Sequence, residues 1–226
     1  MVKKILFVMV LLVAVASVQA EVNWLVNPGF NDPAPNGSLT GWDKYIRDPN
    51  VQSITALPGS NENNYDGSPF AEIWSGHPWS AELSQTVSVA GPTGIRLAFV
   101  YKTTEPEQGG AGVSINCYDA TGGWLAYMWA PLYDSWPDDT SVTPLNGPTE
   151  WTGFDTDHLR NDGWPARFGG YEGQLTAPAG TATIKVAFVD WDYDTLYIDE
   201  VFLGVPEPVT MLLLGLGGLA IARKRA

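Results

Sequence analysis

Trp129, Tyr133, Trp136, Trp151 and Trp164 crowd, together with Tyr171, into residues 127–171 amid Pro, Gly and Asp. Indole and phenol rings stack on the C–H faces of sugars, while Asn, Asp, Gln and Arg bind hydroxyls, so this mixture suits a shallow glycan platform. Asp138, Asp139 and Arg160 would supply its polar edges. The same rings would serve equally as a small core beneath the segment itself. A second group centres on Asp199, in the run Thr195–Gly204. Strict alternation gives Asp199 the parity of Tyr197, Val201 and Leu203 and turns its carboxylate toward the apolar side. An unpaired buried carboxylate is costly. Either a bulge turns it outward, or a cation holds it, calcium being the ion that favours hard oxygen ligands.

Catalytic groupings are sparse. The two histidines, His77 and His158, lie in separate loops, and no H-E-x-x-H, G-x-S-x-G or Cys-His signature occurs. Asp155, Asp157 and Asp162 are loop acids, more often solvated than catalytic. The chain therefore reads as a non-catalytic protein, with a glycan-active enzyme as the minor alternative.

The elements that must position these residues are strands. Gly and Pro punctuate the middle of the chain, and several segments alternate as half-buried strands do. In Gly94–Thr104, Ile95, Leu97, Phe99 and Tyr101 share one face. Ala111–Ala120 aligns Val113, Ile115 and Cys117, which makes Cys117 a small core hydrophobe. Ala81–Ala90 carries Leu83, Val87 and Val89, and Thr181–Trp191 carries Ile184, Val186 and Phe188. The expected fold is all-β, an antiparallel sandwich over residues 21–204, with 127–171 as a loop insertion. A single cysteine excludes an intrachain disulfide.

The chain ends read differently. Lys3 and Lys4, an apolar run from Ile5 to Val15, and small residues at Val18 and Ala20 form a secretory signal peptide over residues 1–20. Signal peptidase would cut between Ala20 and Glu21. At the other end, Pro206-Glu207-Pro208 interrupts regular structure, Val209 to Ala222 is apolar apart from Thr210, and Arg223-Lys224-Arg225 closes the chain. A helix of this length spans about 21 Å, short of the ~30 Å hydrocarbon core. The basic end belongs in the cytoplasm, which leaves the domain outside. A transient membrane stop that is later cut fits better than a permanent anchor.

Two of the 12 basic residues lie in the leader and three in the tail, whereas 24 of the 25 acids lie between them. The exported domain is thus near −17, which argues against nucleic acid and anionic lipid as partners. Neutral sugars and divalent cations remain compatible.

The order Pro-Glu-Pro, short apolar helix and basic terminus over residues 205–226 resembles the PEP-CTERM sorting signal. That resemblance implies processing by exosortase at the inner membrane of a Gram-negative bacterium and delivery to the cell surface or an exopolysaccharide matrix. Between the ends, Leu25-Val26-Asn27-Pro28-Gly29-Phe30, Gly41-Trp42, Ser84-Gln85-Thr86-Val87 and Tyr197-Ile198-Asp199-Glu200-Val201 resemble, in order, the motifs of galactose-binding-like jelly rolls found in carbohydrate-binding modules. The resemblance implies that Trp42 and Trp24 are packing residues and that a structural calcium joins the first and last strands. Its ligands would be Asp199 and Glu200, with Asn31 standing where the family has Glu and Asp32 beside it. The function expected is a carbohydrate-binding-like module on extracellular polysaccharide. The alternative is a structural, self-associating surface protein without a sugar site.

Overall fold

The computed structural model describes residues 22–32, 37–76, 80–90, 94–104, 110–134, 149–156, 175–191 and 194–205. The leader, the cleavage pair Ala20 and Glu21, and the sorting tail from Pro206 to Arg225 lie outside these residues. Among the described residues no helix is long and apolar enough to cross a membrane.

Among the described residues eleven strands form two antiparallel sheets. They are β1 (Asp43–Tyr45), β2 (Gln52–Leu57), β3 (Phe70–Ser75), β4 (Ala81–Ser88), β5 (Gly94–Thr103), β6 (Gly110–Tyr118), β7 (Trp124–Asp134), β8 (Thr152–Asp155), β9 (Leu175–Thr176), β10 (Thr183–Trp191) and β11 (Asp194–Gly204). One sheet runs β1-β4-β10-β6-β7 and the other β2-β3-β11-β5-β8, with β9 pairing β5. The chain is the antiparallel β-sandwich expected from its alternation.

Period-2 patterning decides which side of each strand is buried. Ile184, Val186 and Phe188 of β10, with Val113, Ile115 and Cys117 of β6, face Leu97, Phe99, Leu196 and Ile198 across the interior. Phe99 meets Phe188 edge-on at 4.9 Å and stacks on Phe154 at 4.7 Å, which ties the two sheets together. Each fully buried side chain of this size contributes about 1.5–3 kcal/mol. Cys117 is a buried core residue, as its parity implies.

The motifs near the N-terminus act as a clasp. Gln85 accepts a hydrogen bond from Val26 N (2.6 Å) and donates one to Val26 O (3.0 Å). Asn23 donates to Val201 O and accepts from Leu203 N, and Val201 N donates to Pro28 O. Trp42 is buried against Phe30 and Phe188, and its indole N–H donates to Asn27 O. Trp24 packs against the core edge. Its expected first strand is only an isolated bridge, Asn23 to Gly204.

Two expectations change. Residues 127–134 are not loop but the greater part of β7, and 152–155 form β8. Pro131 makes this stretch read as a break, yet β7 is an edge strand at a bulge, where a missing N–H is tolerated. The parity of Asp199 also differs. Glu200 and Val201 stand together opposite Phe99, and Glu200 has a φ of 51°. That bulge reverses the alternation, so Val201 and Leu203 join the core while Tyr197 and Asp199 face the outer side of the sheet.

Candidate functional site

The two outer faces of the sandwich hold the candidate residues, and they separate them. On the six-stranded sheet, register aligns Thr55, Glu72, Tyr197 and Lys102 in one transverse row. The segment following β2 folds over this row. Asn63 donates to the Tyr197 hydroxyl (3.2 Å) and accepts from Lys102 Nζ (3.0 Å). Trp151 enters from the lead-in to β8. Its indole N–H donates to Asn63 O and Asn64 O, and its ring lies edge-on to Phe70 at 5.9 Å. The Lys102 ammonium sits over both Trp151 and Tyr197, at 5.7 and 5.3 Å from the ring centroids. Burial pulls the Lys102 ammonium below its ordinary range and pushes the Tyr197 phenol up to about 12.

Asp199 belongs to this covered face. It is fully buried, and its oxygens accept from Ser68 Oγ (3.0 Å) and from Glu200 N (2.7 Å). Desolvation pushes its carboxyl up to about 6, against the lowering effect of those two bonds. Glu200, Asn31 and Asp32 are exposed. Among the described residues no three His, Cys, Asp or Glu side chains gather to hold a cation.

The five-stranded sheet presents another surface. Outward-facing residues form rows across it: Tyr127, Asn116, Lys185 and Thr86, then Trp129, Ser114, Ala187 and Ser84. Trp129 lies over Gly112, and Trp191 over Gly110; a Cβ at Gly110 would come within 2.6 Å of the Trp191 ring, and one at Gly112 would collide with Trp129. The two glycines let both indoles settle flat on the β6 backbone. Their centroids are 5.6 Å apart and their planes differ by 32°, so they form one near-continuous apolar floor. Asn116 donates to Ser114 Oγ beside it, and Lys185 pairs with Glu82 at 2.7 Å. These groups can stack on a ring's C–H face and bind its hydroxyls at the edge.

The five aromatics singled out from composition therefore do not make one platform. Trp129 and Trp151 are on opposite faces of the sandwich. Tyr133 is on β7, its side chain outside the description, and Trp136 and Trp164 lie outside the described residues, as do Asp138, Asp139 and Arg160. Of the loop acids, Asp155 makes a two-point pair with Arg96, at 3.2 and 2.7 Å, and Asp157 and Asp162 are outside the description. Sequence reasoning missed Trp191, Gly110 and Gly112. Gly-x-Gly inside an alternating strand, with tryptophans on its neighbours, is the signal that could have found them.

The PEP-CTERM protein-sorting motif family matches residues 204–226. That motif implies exosortase processing and export by way of transient membrane anchoring. No curated protein sequence matches the chain. Among solved structures, the enzymatically active domain of tailspike protein 4 from bacteriophage CBA120 is similar at 14% identity and a TM-score of 0.55, over 82% of this chain and 22% of that one. This chain thus spans about a fifth of the tailspike's length. A xylan-binding domain of carbohydrate-binding module family 22 is similar at 15% identity and a TM-score of 0.50, over 84% of this chain and 99% of the other. The fold is that of the jelly rolls of carbohydrate-binding modules.

Proposed function

We propose that this chain is an exported, non-catalytic carbohydrate-binding protein of the extracellular polysaccharide, and that its sugar site is the outer face of the five-stranded sheet. The observation that carries this reading is the pair Trp129 and Trp191, laid flat over Gly112 and Gly110. A core needs rings that interdigitate, but these two lie side by side over the β6 backbone, on the side of the sheet away from the core. The likeness to a domain named for xylan binding supports the same reading at the level of fold.

The chemistry is stacking plus edge hydrogen bonds, with no reacting group required. The sorting motif would deliver the domain to the cell surface or matrix, where neutral polymer is abundant and a charge near −17 does not interfere. A cleaved signal peptide at residues 1–20 belongs to the same proposal.

The test is affinity electrophoresis of the full-length protein through gels containing xylan, β-1,4-galactan or the exopolysaccharide of the producing bacterium. Retardation by any one of them, lost in Trp129→Ala and Trp191→Ala while the fold is kept, is the expected result. Retardation unchanged in both variants would overturn the assignment of the site.

A further inference from the structure

The Trp129–Trp191 floor is one end of a longer line. β7 pairs β6 along its whole length, and its outward residues continue toward the hairpin. Tyr127 stands opposite Asn116, two rows from Trp129, and is 48% exposed. Beyond it, strict alternation would send Trp124 inward with Ala126, Met128 and Ala130. A register shift prevents this. Cys117 pairs Ala126 but Tyr118 pairs Trp124, so Leu125 is the extra residue of a bulge. The bulge re-aims Trp124 to the outer face, where it is 62% exposed.

The hairpin that carries Trp124 is braced. Asp119 Oδ1 accepts from Thr121 N and from Gly123 N, each at 2.8 Å, and from Thr121 Oγ1 at 2.7 Å. The indole is thus held on an ordered turn, where an exposed apolar ring gains nothing for the fold. In order along β6, the aromatics are Trp124, Tyr127 and Trp129 from β7 and then Trp191 from β10. Their rows run from Tyr118 to Gly110, a span of about 27 Å at ~3.4 Å per residue. A single sugar ring covers one such side chain, so a line of four matches a run of successive sugars.

We infer that this line is a multi-subsite track for the interior of an extended polysaccharide chain, with Trp124 its outermost subsite. The inference rests on the proposed sugar-binding reading and adds its substrate class: polymer over free monosaccharide or chain end. No sugar need terminate in the site, because the line follows the strand and runs out at Trp124 into solvent. The track also explains why a bulge turns an indole into solvent at the hairpin end of β7.

The experiment uses the full-length protein and the exopolysaccharide of the producing bacterium, partially hydrolysed and sized into oligomers, with affinities measured by calorimetry. Affinity is expected to climb with oligomer length until the track is filled. Trp124→Ala should weaken the longest oligomers and the polymer about tenfold and leave the shortest unchanged, whereas Trp129→Ala weakens every length. Since Trp124 is exposed, its variant is expected to unfold at the wild-type temperature. Length-independent affinity, or a silent Trp124→Ala beside a damaging Trp129→Ala, would sink the track but keep the sugar site. If no oligomer or polymer binds, or Trp129→Ala binds as wild type, the track fails together with the reading it rests on. Self-association lost in Trp124→Ala, with oligomer affinity intact, would assign the exposed indole to a protein partner and overturn the inference.

Discussion

On the six-stranded sheet the indole of Trp151 is closed in, its N–H on two backbone carbonyls and its face under the Lys102 ammonium; on the five-stranded sheet Trp129 rests on glycine backbone, on the side of the sheet away from the core. Both are half-buried tryptophans from the same aromatic-rich stretch, 22 residues apart in sequence. Exposure alone does not separate them. What separates them is what each ring is seen to rest on. Trp151 has its donor engaged internally, so it fastens the segment after β2 to the sheet. Trp129 has the Gly112 backbone as its support and Ser114 as its cross-strand neighbour, and the proposed reading assigns its ring to a sugar.

The comparison breaks most visibly if the two tryptophans are exchanged in role. Trp151→Ala should lower stability by about 3 kcal/mol, as removal of packed indoles does. For a domain of this size that is roughly 6–12 °C in melting temperature. Polysaccharide affinity should be unchanged. Trp129→Ala should do the reverse, weakening affinity about tenfold or more with a much smaller thermal shift. Calorimetry and affinity electrophoresis on both variants check the pair; parallel losses in both assays would erase the distinction.

Asp199 sharpens the same contrast from the covered side. Its folded pKa, about 6, lies above the value of 3.8 usual for the free side chain. The native state therefore holds the proton more tightly, and the stabilisation present below pH ~4 is lost as pH rises through about 6. Asp199→Asn should flatten that fall and leave the variant more stable than wild type at pH 7, by on the order of 2 kcal/mol. Urea unfolding at pH 4, 6 and 7.5 measures it. A variant that is less stable at every pH would show that the ionised carboxylate is wanted, with Ser68 and Glu200 as its stabilisers.

A gentler probe of the open face is Gly112→Ala. The added methyl must displace the Trp129 ring, and because that ring is a side chain at the surface it can tilt away. Affinity should fall several-fold with little loss of stability. An unchanged affinity would mean that the flat seat of the indole is irrelevant to binding.

The smallest expected effect is that of calcium. With Asp199 already accepting from Ser68 and Glu200, and its carboxyl raised by burial, millimolar calcium at neutral pH should move the unfolding midpoint by no more than about a degree. A rise of several degrees over EDTA would place a cation in the fold, since a ligand bound only by the native state must stabilise it.

The alternation in β4, β5, β6 and β10 was enough to state the sandwich, because a strand with one buried face leaves a period of two in its side chains. The sorting tail was legible for a similar reason: its order of prolines, apolar run and basic end is local in the chain. Alternation failed just past Asp199, beside a bulge, and a second bulge sets the direction of Trp124. A bulge is decided by how two strands pair, and it reverses every side chain beyond it without altering local composition. The aromatic cluster at 127–171 misled for a related reason. Nearness in sequence says nothing about which sheet a segment joins, and β7 and β8 join different ones. Trp191 entered the open face from a strand more than sixty residues away, through Gly110 and Gly112, by a register that only pairing of β10 with β6 supplies. The sequence by itself determined the architecture and the sorting motif, which follow from local periodicity and order. The tertiary structure alone decided which sheet each indole joins and what it rests on, because that depends on cross-strand register.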